Sequence, residues 1–262
     1  MLQLLKKWNL GAKKEKEPSP QTPTQTLTTD IHSHLLAGID DGAKNLDEST
    51  ILIQKLMKAG YERFVTTPHI MSDFYKNTPE IIGEKLAELR LHLQEKEIEV
   101  TIEAAAEYYA DEWFMRQIEQ GKPLLTFGEN YILMETGFQD KPKYLKQAIF
   151  DLQTSGYKPI FAHPERYQYL YNDFKTLEEL HEKGVLLQIN LNSLAGYYGK
   201  AAQGLAEKLI SRGMVHWVGS DCHHDRHANT ISLAQKSKYY PALLALPLLN
   251  FELNLNVHET LC

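Results

Sequence analysis

An α/β fold, with one parallel sheet closed into a (β/α) barrel a unit short of the usual eight, is what this 262-residue sequence predicts. Three observations predict it. Short apolar runs alternate with longer amphipathic stretches from Thr29 onward, the pattern of parallel strands joined by right-handed crossovers. Seven such units fit into about 210 residues with no sequence repeat and no second-domain linker, so residues 29–262 read as a single domain. Histidine and carboxylate residues recur at the downstream ends of the runs, where a barrel mouth would gather them. An open doubly wound sheet is the structural alternative.

The seven runs are "TDIHSH", "RFVTTPH", "VTIEAAAEYY", "NYILMET", "KPIFAHPE", "VLLQINL" and "VHWVGSDCHH". Six helical stretches separate them and a seventh can follow the last. In "LDESTILIQKLMKA", Leu46, Ile53, Leu56 and Met57 recur at helical spacing, Asn45 or Asp47 can cap the start, and Gly60 stops it. "TPEIIGEKLAELRLHLQEK" opens with Thr78 as cap and Pro79 at the first helical position. "KPKYLKQAIFDLQTSG", "TLEELHEKG" and "AAQGLAEKLISRG" each end at glycine.

Residues 1–28 read as a leader. "KKEKEPSPQTPTQTLTT" is charged, then rich in Pro and Thr, and buries too little apolar surface to fold alone. Leu2, Leu4, Leu5 and Trp8 beside Lys6 and Lys7 make a short apolar face suited to peripheral contact with a membrane or partner, and a frayed terminus is the simpler reading. A net charge of −6 argues against general nucleic-acid binding, which needs clustered Lys and Arg. No apolar run approaches the roughly 20 residues that span a bilayer, and the start lacks the features of a signal peptide. Only Cys222 and Cys262 are present, which excludes a disulfide framework and fits a reducing, cytoplasmic setting. Cys222 as a thiolate nucleophile is a weak reading: cysteine-dependent phosphatases carry an Arg six positions on, and Ala228 stands there.

The run ends carry the chemistry. They supply His32 and His34 with Asp41 in the following turn, then His69, Glu107, Glu135, His163, and finally Asp221 with His223. Residues i and i+2 of a strand point the same way, so His32 and His34 can share one cation, as can Asp221 and His223. Any one of these residues alone is an ordinary polar group. Nine in phase with the strand–helix alternation are not, and burying so many ionisable groups without cations would be costly. Imidazole with carboxylate and no thiolate suits Mn, Fe or Zn, and nine donors suit two to three divalent ions with a bridging carboxylate. His92, His181 and His216 read as structural, His224 and His227 lie beside the site, and His258 is uninformative.

These residues resemble the polymerase and histidinol phosphatase (PHP) superfamily, and more closely the metal-dependent protein tyrosine phosphatases of bacterial capsule and exopolysaccharide operons, the CpsB/CapC type. "DIHSHLLAGIDDGAKNLDEST" is similar to that family's opening segment, and "TTPH", "AAAEYY", "ILMET", "AHPERY" and "GSDCHH" follow in its order, so the resemblance covers about Asp30 to Arg226. It implies a distorted (β/α)7, TIM-like barrel with a trinuclear, often manganese-containing, centre held by the nine residues named. It also implies a phosphate-contacting Arg166 and a phosphotyrosine protein as substrate, a bacterial polysaccharide-assembly tyrosine kinase. The family's second arginine, five residues beyond the final His, maps to Ala228; Arg226 is the candidate to replace it, with His224 as a further substrate contact. Ala106 stands where many relatives have Gly.

In that reading water activated by the cations attacks phosphorus, Arg166 stabilises charge on the phosphoryl oxygens, and Asp221 or a nearby His is available to protonate the leaving phenolate. Tyr108, Tyr109, Tyr167, Tyr197 and Tyr198 are candidates for an aromatic rim, with packing the competing role for each. A small-molecule phosphatase, such as one for histidinol phosphate, and a non-catalytic kinase-binding module are the alternatives.

Overall fold

The computed structural model describes residues 25–255. Most of the leader, His258 and Cys262 lie outside them. The α/β class is as expected: parallel strands alternate with helices and the sheet curls on itself. The seven runs become nine strands: β1 (Thr29–Asp30), β2 (Arg63–Thr66), β3 (His69–Ile70), β4 (Thr101–Ala104), β5 (Glu107–Tyr109), β6 (Tyr131–Glu135), β7 (Lys158–Ala162), β8 (Leu186–Asn190) and β9 (Trp217–Gly219). The second and third runs are each broken in two. Pro68 has no N–H for the ladder and interrupts the second run. The third breaks beside it, and Ala105 N and Glu107 N donate to Thr66 O and Pro68 O across the gap.

Two sheets result, β1-β2-β4 and β3-β5-β6-β7-β8-β9, with every pairing parallel. The first and last runs also meet. Ser33 pairs with Cys222 in a parallel bridge, Asp221 N donates to His32 O at 2.7 Å, and His34 N donates to Cys222 O at 3.0 Å.

Helix boundaries follow the local chemistry. α1 (Leu46–Lys58) is capped by Asn45, whose side chain accepts from Glu48 N, and α2 (Pro79–Glu95) by Thr78. α3 (Glu112–Glu119) is capped by Asp111, and α4 (Leu145–Thr154), α5 (Phe174–Glu182) and α6 (Lys200–Ser211) stop just short of Gly156, Gly184 and Gly213. The seventh helix exists as α7 (Asp225–Ala234), and a short α8 (Tyr240–Leu244) follows.

Helices pack on the sheet through the main apolar core. A second, smaller cluster draws on run after run: Ile31, Val65, Ala105, Leu133, Ile160 and Trp217, with Phe127 and Leu253. Two residues beyond Leu133 on β6 comes Glu135, on the same strand face, and Ala105 stands two residues before Glu107 at the break between β4 and β5. The cluster is therefore an apolar floor one step beneath the polar residues, and it fixes their depth.

Two glycines are required by close approach. A Cβ on Gly42 would sit 2.2 Å from His34 O, and one on Gly219 would sit 2.4 Å from His32 Cβ. The absent side chains let the Asp-Asp-Gly turn and the last strand close against the His-X-His segment.

Candidate metal centre

All nine expected ligands come together at the downstream ends of the strands. Their donor atoms fall into four overlapping groups: His34, Asp41, His69 and His223; His32, His34 and Asp221; His32, Glu107 and His163; and His69, Glu107 and Glu135. Within each group the donor atoms lie within 4.8 Å of one another. Glu107 is at the centre, with Oε2 at 3.2 Å from His32 Nε2, 3.4 Å from His34 Nε2 and 3.2 Å from His69 Nδ1, and Oε1 at 3.0 Å from His163 Nε2. Asp221 Oδ1 is 3.4 Å from His32 Nε2 and 3.3 Å from His223 Nδ1. Asp41, its side chain 52% exposed, reaches both His69 Nε2 and His223 Nε2 at 3.4 Å.

Two of these strand ends are conformationally unusual. His163 and Asp221 adopt positive φ, +32° and +49°, in the left-handed region that non-glycine residues seldom occupy. Such strain gathers where a backbone is bent to aim a side chain, and here it turns both residues toward the cleft.

The donor set fits divalent cations. Ligand atoms each about 2.0–2.2 Å from one ion stand about 3.0–3.5 Å apart, the spacing found around Glu107. Glu107 Oε2 and Asp221 Oδ1 are also buried and lack a hydrogen-bond donor, a costly state that a cation would relieve. Outer partners hold the imidazoles: Asp40 Oδ2 is 2.8 Å from His34 Nδ1, and Gln188 Oε1 is 2.9 Å from His32 Nδ1.

Electrostatics agree. Burial alone would lower the pKa of the buried histidines, yet Glu107 and Asp221 raise that of His32, and Asp40, Asp221 and Glu107 push His34 well up. At His69 burial is outweighed mainly by Glu107, and the value climbs to about 10. Burial would raise the carboxylates, but the imidazoles hold Glu107 and Asp221 well below the carboxylate range. A site this acidic draws protons onto its imidazoles until cations replace them.

Asp221 as a proton donor does not fit. His32, His223 and Arg166 keep it ionised, and Arg166 Nη1 donates to its Oδ2 at 2.7 Å. Arg166 lines the cleft, its side chain 23% exposed and its guanidinium 4.5 Å from the ring centres of both Phe138 and Tyr198. Its ion pair and its place in the site are thus one arrangement.

Arg226 and His224 are not brought to the cleft. Arg226 is exposed over the ring of Tyr197, and His224 stands just before α7 and stacks on His227 at 4.1 Å. The helix that carries Arg226 turns it outward, away from the strand ends. Cys222 is fully buried in the apolar core, and burial pushes its thiol pKa up, opposite to what a nucleophile needs.

The cleft encloses about 410 Å³. Its rim differs from the expected tyrosines: only Tyr109 of that set lines it, joined by Met71, Phe74, Tyr75 and Phe138. Tyr108 and Tyr167 are core residues whose hydroxyls accept from Leu125 N and Thr136 N. Tyr198 backs Arg166, and Tyr197 packs on His227. Phe74 is 77% exposed at the tip of a hairpin closed by Met71 and Tyr75. Sequence reasoning also missed Asp40, Gln188 and Asn190. The last two left a signal, amides at i and i+2 in an otherwise apolar strand.

Comparisons with known proteins match this geometry. The sequence profile of the family described as "Capsular polysaccharide synthesis, CpsB/CapC" matches residues 28–238. The tyrosine-protein phosphatase YwqE of Bacillus subtilis is 32% identical over 204 residues, 76% of this chain and 79% of that protein. The putative tyrosine-protein phosphatase CapC of Staphylococcus aureus is 32% identical over 195 residues, 74% of this chain and 76% of that one. A crystal structure from the pair YwqE of Bacillus subtilis and CpsB of Streptococcus pneumoniae, described as metal-dependent tyrosine phosphatases, superposes with a TM-score of 0.74 at 29% identity, covering 82% of this chain and 89% of that one. With the profile spanning the strands that build the cleft, and relatives matched over three quarters of its length, this chain belongs to the CpsB/CapC family.

Proposed function

We propose that this chain is a metal-dependent protein tyrosine phosphatase, with two to three divalent cations, manganese foremost, held by His32, His34, Asp41, His69, Glu107, Glu135, His163, Asp221 and His223. The observation that carries the reading is the convergence of those nine donors beside Arg166 on the floor of one aromatic-rimmed cleft. Bound there, divalent cations would lower the pKa of a water enough for it to serve as nucleophile near neutral pH.

The chain's own residues do the rest. Arg166 presents parallel N–H donors to phosphoryl oxygens, pre-aimed by its bond to Asp221 and the two rings that stack on it. Phe138, 38% exposed, and Phe74 offer apolar surface for an aryl ring entering from above. A departing phenolate, with a pKa of about 10, needs little help from an acid, which accords with an ionised Asp221. The names of the matched relatives support phosphotyrosine as substrate. On the same reading the substrate protein is a polysaccharide-assembly tyrosine kinase, the setting is cytoplasmic, and the runs close as a distorted (β/α)7 barrel, for which the pairing of Ser33 with Cys222 is the support. No helix among the described residues is long and apolar enough to cross a membrane.

The test is a substrate comparison on manganese-loaded protein: a phosphotyrosine peptide, a phosphoserine peptide and histidinol phosphate. Preferred turnover of phosphotyrosine is expected. Preference for histidinol phosphate would make the enzyme a small-molecule phosphatase, and peptide binding without phosphate release would make it a binding module.

A further inference from the structure

The sixth run, β8, supplies none of the nine ligand candidates, yet its inward residues are two buried amides, Gln188 and Asn190. They join two ligand candidates from behind. His32 Nδ1 lies 2.9 Å from Gln188 Oε1, Gln188 Nε2 donates to Asn190 Oδ1 at 3.0 Å, and Asn190 Nδ2 donates to Asp221 Oδ2 at 2.6 Å. His32 and Asp221 belong to one candidate cation group with His34.

The direction of this chain is fixed at both ends by groups whose roles are unambiguous. Arg166 can only donate, and its Nη1 lies 2.7 Å from Asp221 Oδ2, so that oxygen is an acceptor and takes the NH2 of Asn190. A backbone N–H can only donate, and His163 N donates to the same Gln188 oxygen at 3.2 Å. Each amide is therefore oriented by its partners, and what remains facing His32 is an oxygen. That oxygen needs a proton on Nδ1, which leaves the Nε2 lone pair aimed at Glu107 and Asp221, 3.2 and 3.4 Å away. Gly219 makes room for the arrangement, since a Cβ there would meet both His32 and Gln188.

We propose that Gln188 and Asn190 are positioning residues: a directional amide relay, oriented by the Arg166–Asp221 bond at one end and His163 N at the other, that sets the His32 tautomer and couples His32 to the Asp221–Arg166 pair. The proposal rests on the metal-centre reading for its functional consequence, whereas the tautomer it assigns stands on the hydrogen bonds alone. The relay links the cation side of the site to its phosphate side, so a fault introduced at Asn190 would reach both.

The test has two parts. In zinc-loaded protein, ring 15N shifts should show His32 bound through Nε2 with a proton on Nδ1, and metal-free protein at alkaline pH should show the same neutral tautomer. A proton on Nε2 in the metal-free ring, or zinc on Nδ1, overturns the proposal. The metal-free measurement decides even if the chain binds no zinc, so the tautomer and the metal-centre reading fail separately. In the second part, Mn2+ affinity is measured by chelator competition. Gln188→Met should lose roughly 10- to 100-fold, the scale for an outer-shell partner. Gln188→Glu, which still accepts from His32 and from His163 N but gives up the bond to Asn190, should recover only part of that loss. Asn190→Leu should lower affinity and also kcat, through Arg166. Unchanged affinity in a folded Gln188→Met, or equal loss in Met and Glu variants, overturns it.

Discussion

Arg166→Ala removes the one cationic side chain that, among the described residues, lines the cleft without being an expected ligand, and the structure separates its proposed catalytic cost from its structural one. Asp221 loses the 2.7 Å bond from Arg166, but Asn190 still donates to it and His32 and His223 still face it, so the carboxylate is not orphaned. A partly exposed ion pair contributes about 0–1 kcal/mol, and each of the two stacked rings about 0.5–1 kcal/mol. The sum is about 1–3 kcal/mol, at about 2–4 °C per kcal/mol, so the melting temperature should fall by less than about 12 °C. Turnover should suffer far more. Loss of one preorganised donor to developing charge costs about 10²- to 10³-fold in kcat. Arg166→Lys keeps the charge but neither the planar stack between Phe138 and Tyr198 nor the paired donors, and should recover only part. The assay is phosphotyrosine turnover, metal content and melting temperature on the same preparation. Near-normal turnover with a large drop in melting temperature would refute the catalytic role and leave Arg166 as an anchor for Asp221.

Three further outcomes are expected. Cys222→Ser should keep substantial activity, since the thiol is buried and its pKa raised; loss of activity in a folded, fully metallated variant would contradict water as the nucleophile. Gly42→Ala should destabilise the protein by about 1–3 kcal/mol and weaken cation binding, because its Cβ meets the His34 backbone at 2.2 Å; wild-type stability and affinity would contradict that packing. In chelated protein, His69 is raised from 6.5 to about 10, so its contribution to stability is whole below about pH 6.5 and is lost as pH climbs toward 10, while cation affinity rises through the same window as protons leave. Melting curves of chelated protein that strengthen from pH 6.5 to 10 would refute this.

The sequence exposed the nine candidate donors because strand ends recur in phase with the strand–helix alternation, and their side chains converge. It exposed the helix starts for a local reason: Asn45 and Thr78 satisfy N–H groups within their own turn. What it hid depended on packing. Nothing in "DDG" says that Asp40 turns inward to His34 while Asp41 stays half exposed. "HHDRH" does not reveal that α7 begins at Asp225 and carries Arg226 away from the cleft. The five tyrosines looked alike in sequence, yet two lie in the core, and Phe74 is more exposed at the cleft than Phe138. The break of the second run did have a visible cause, Pro68, and the amide pair Gln188 and Asn190 in an apolar strand left a signal.

Metal content and activity, followed through one cycle of removal and return, test the central claim most directly. Protein as purified should carry more than one transition-metal ion per chain and hydrolyse a phosphotyrosine peptide. Strong chelation to verified metal-free protein should abolish that activity, and adding Mn2+ should restore it. Full activity in the verified metal-free protein would contradict the account.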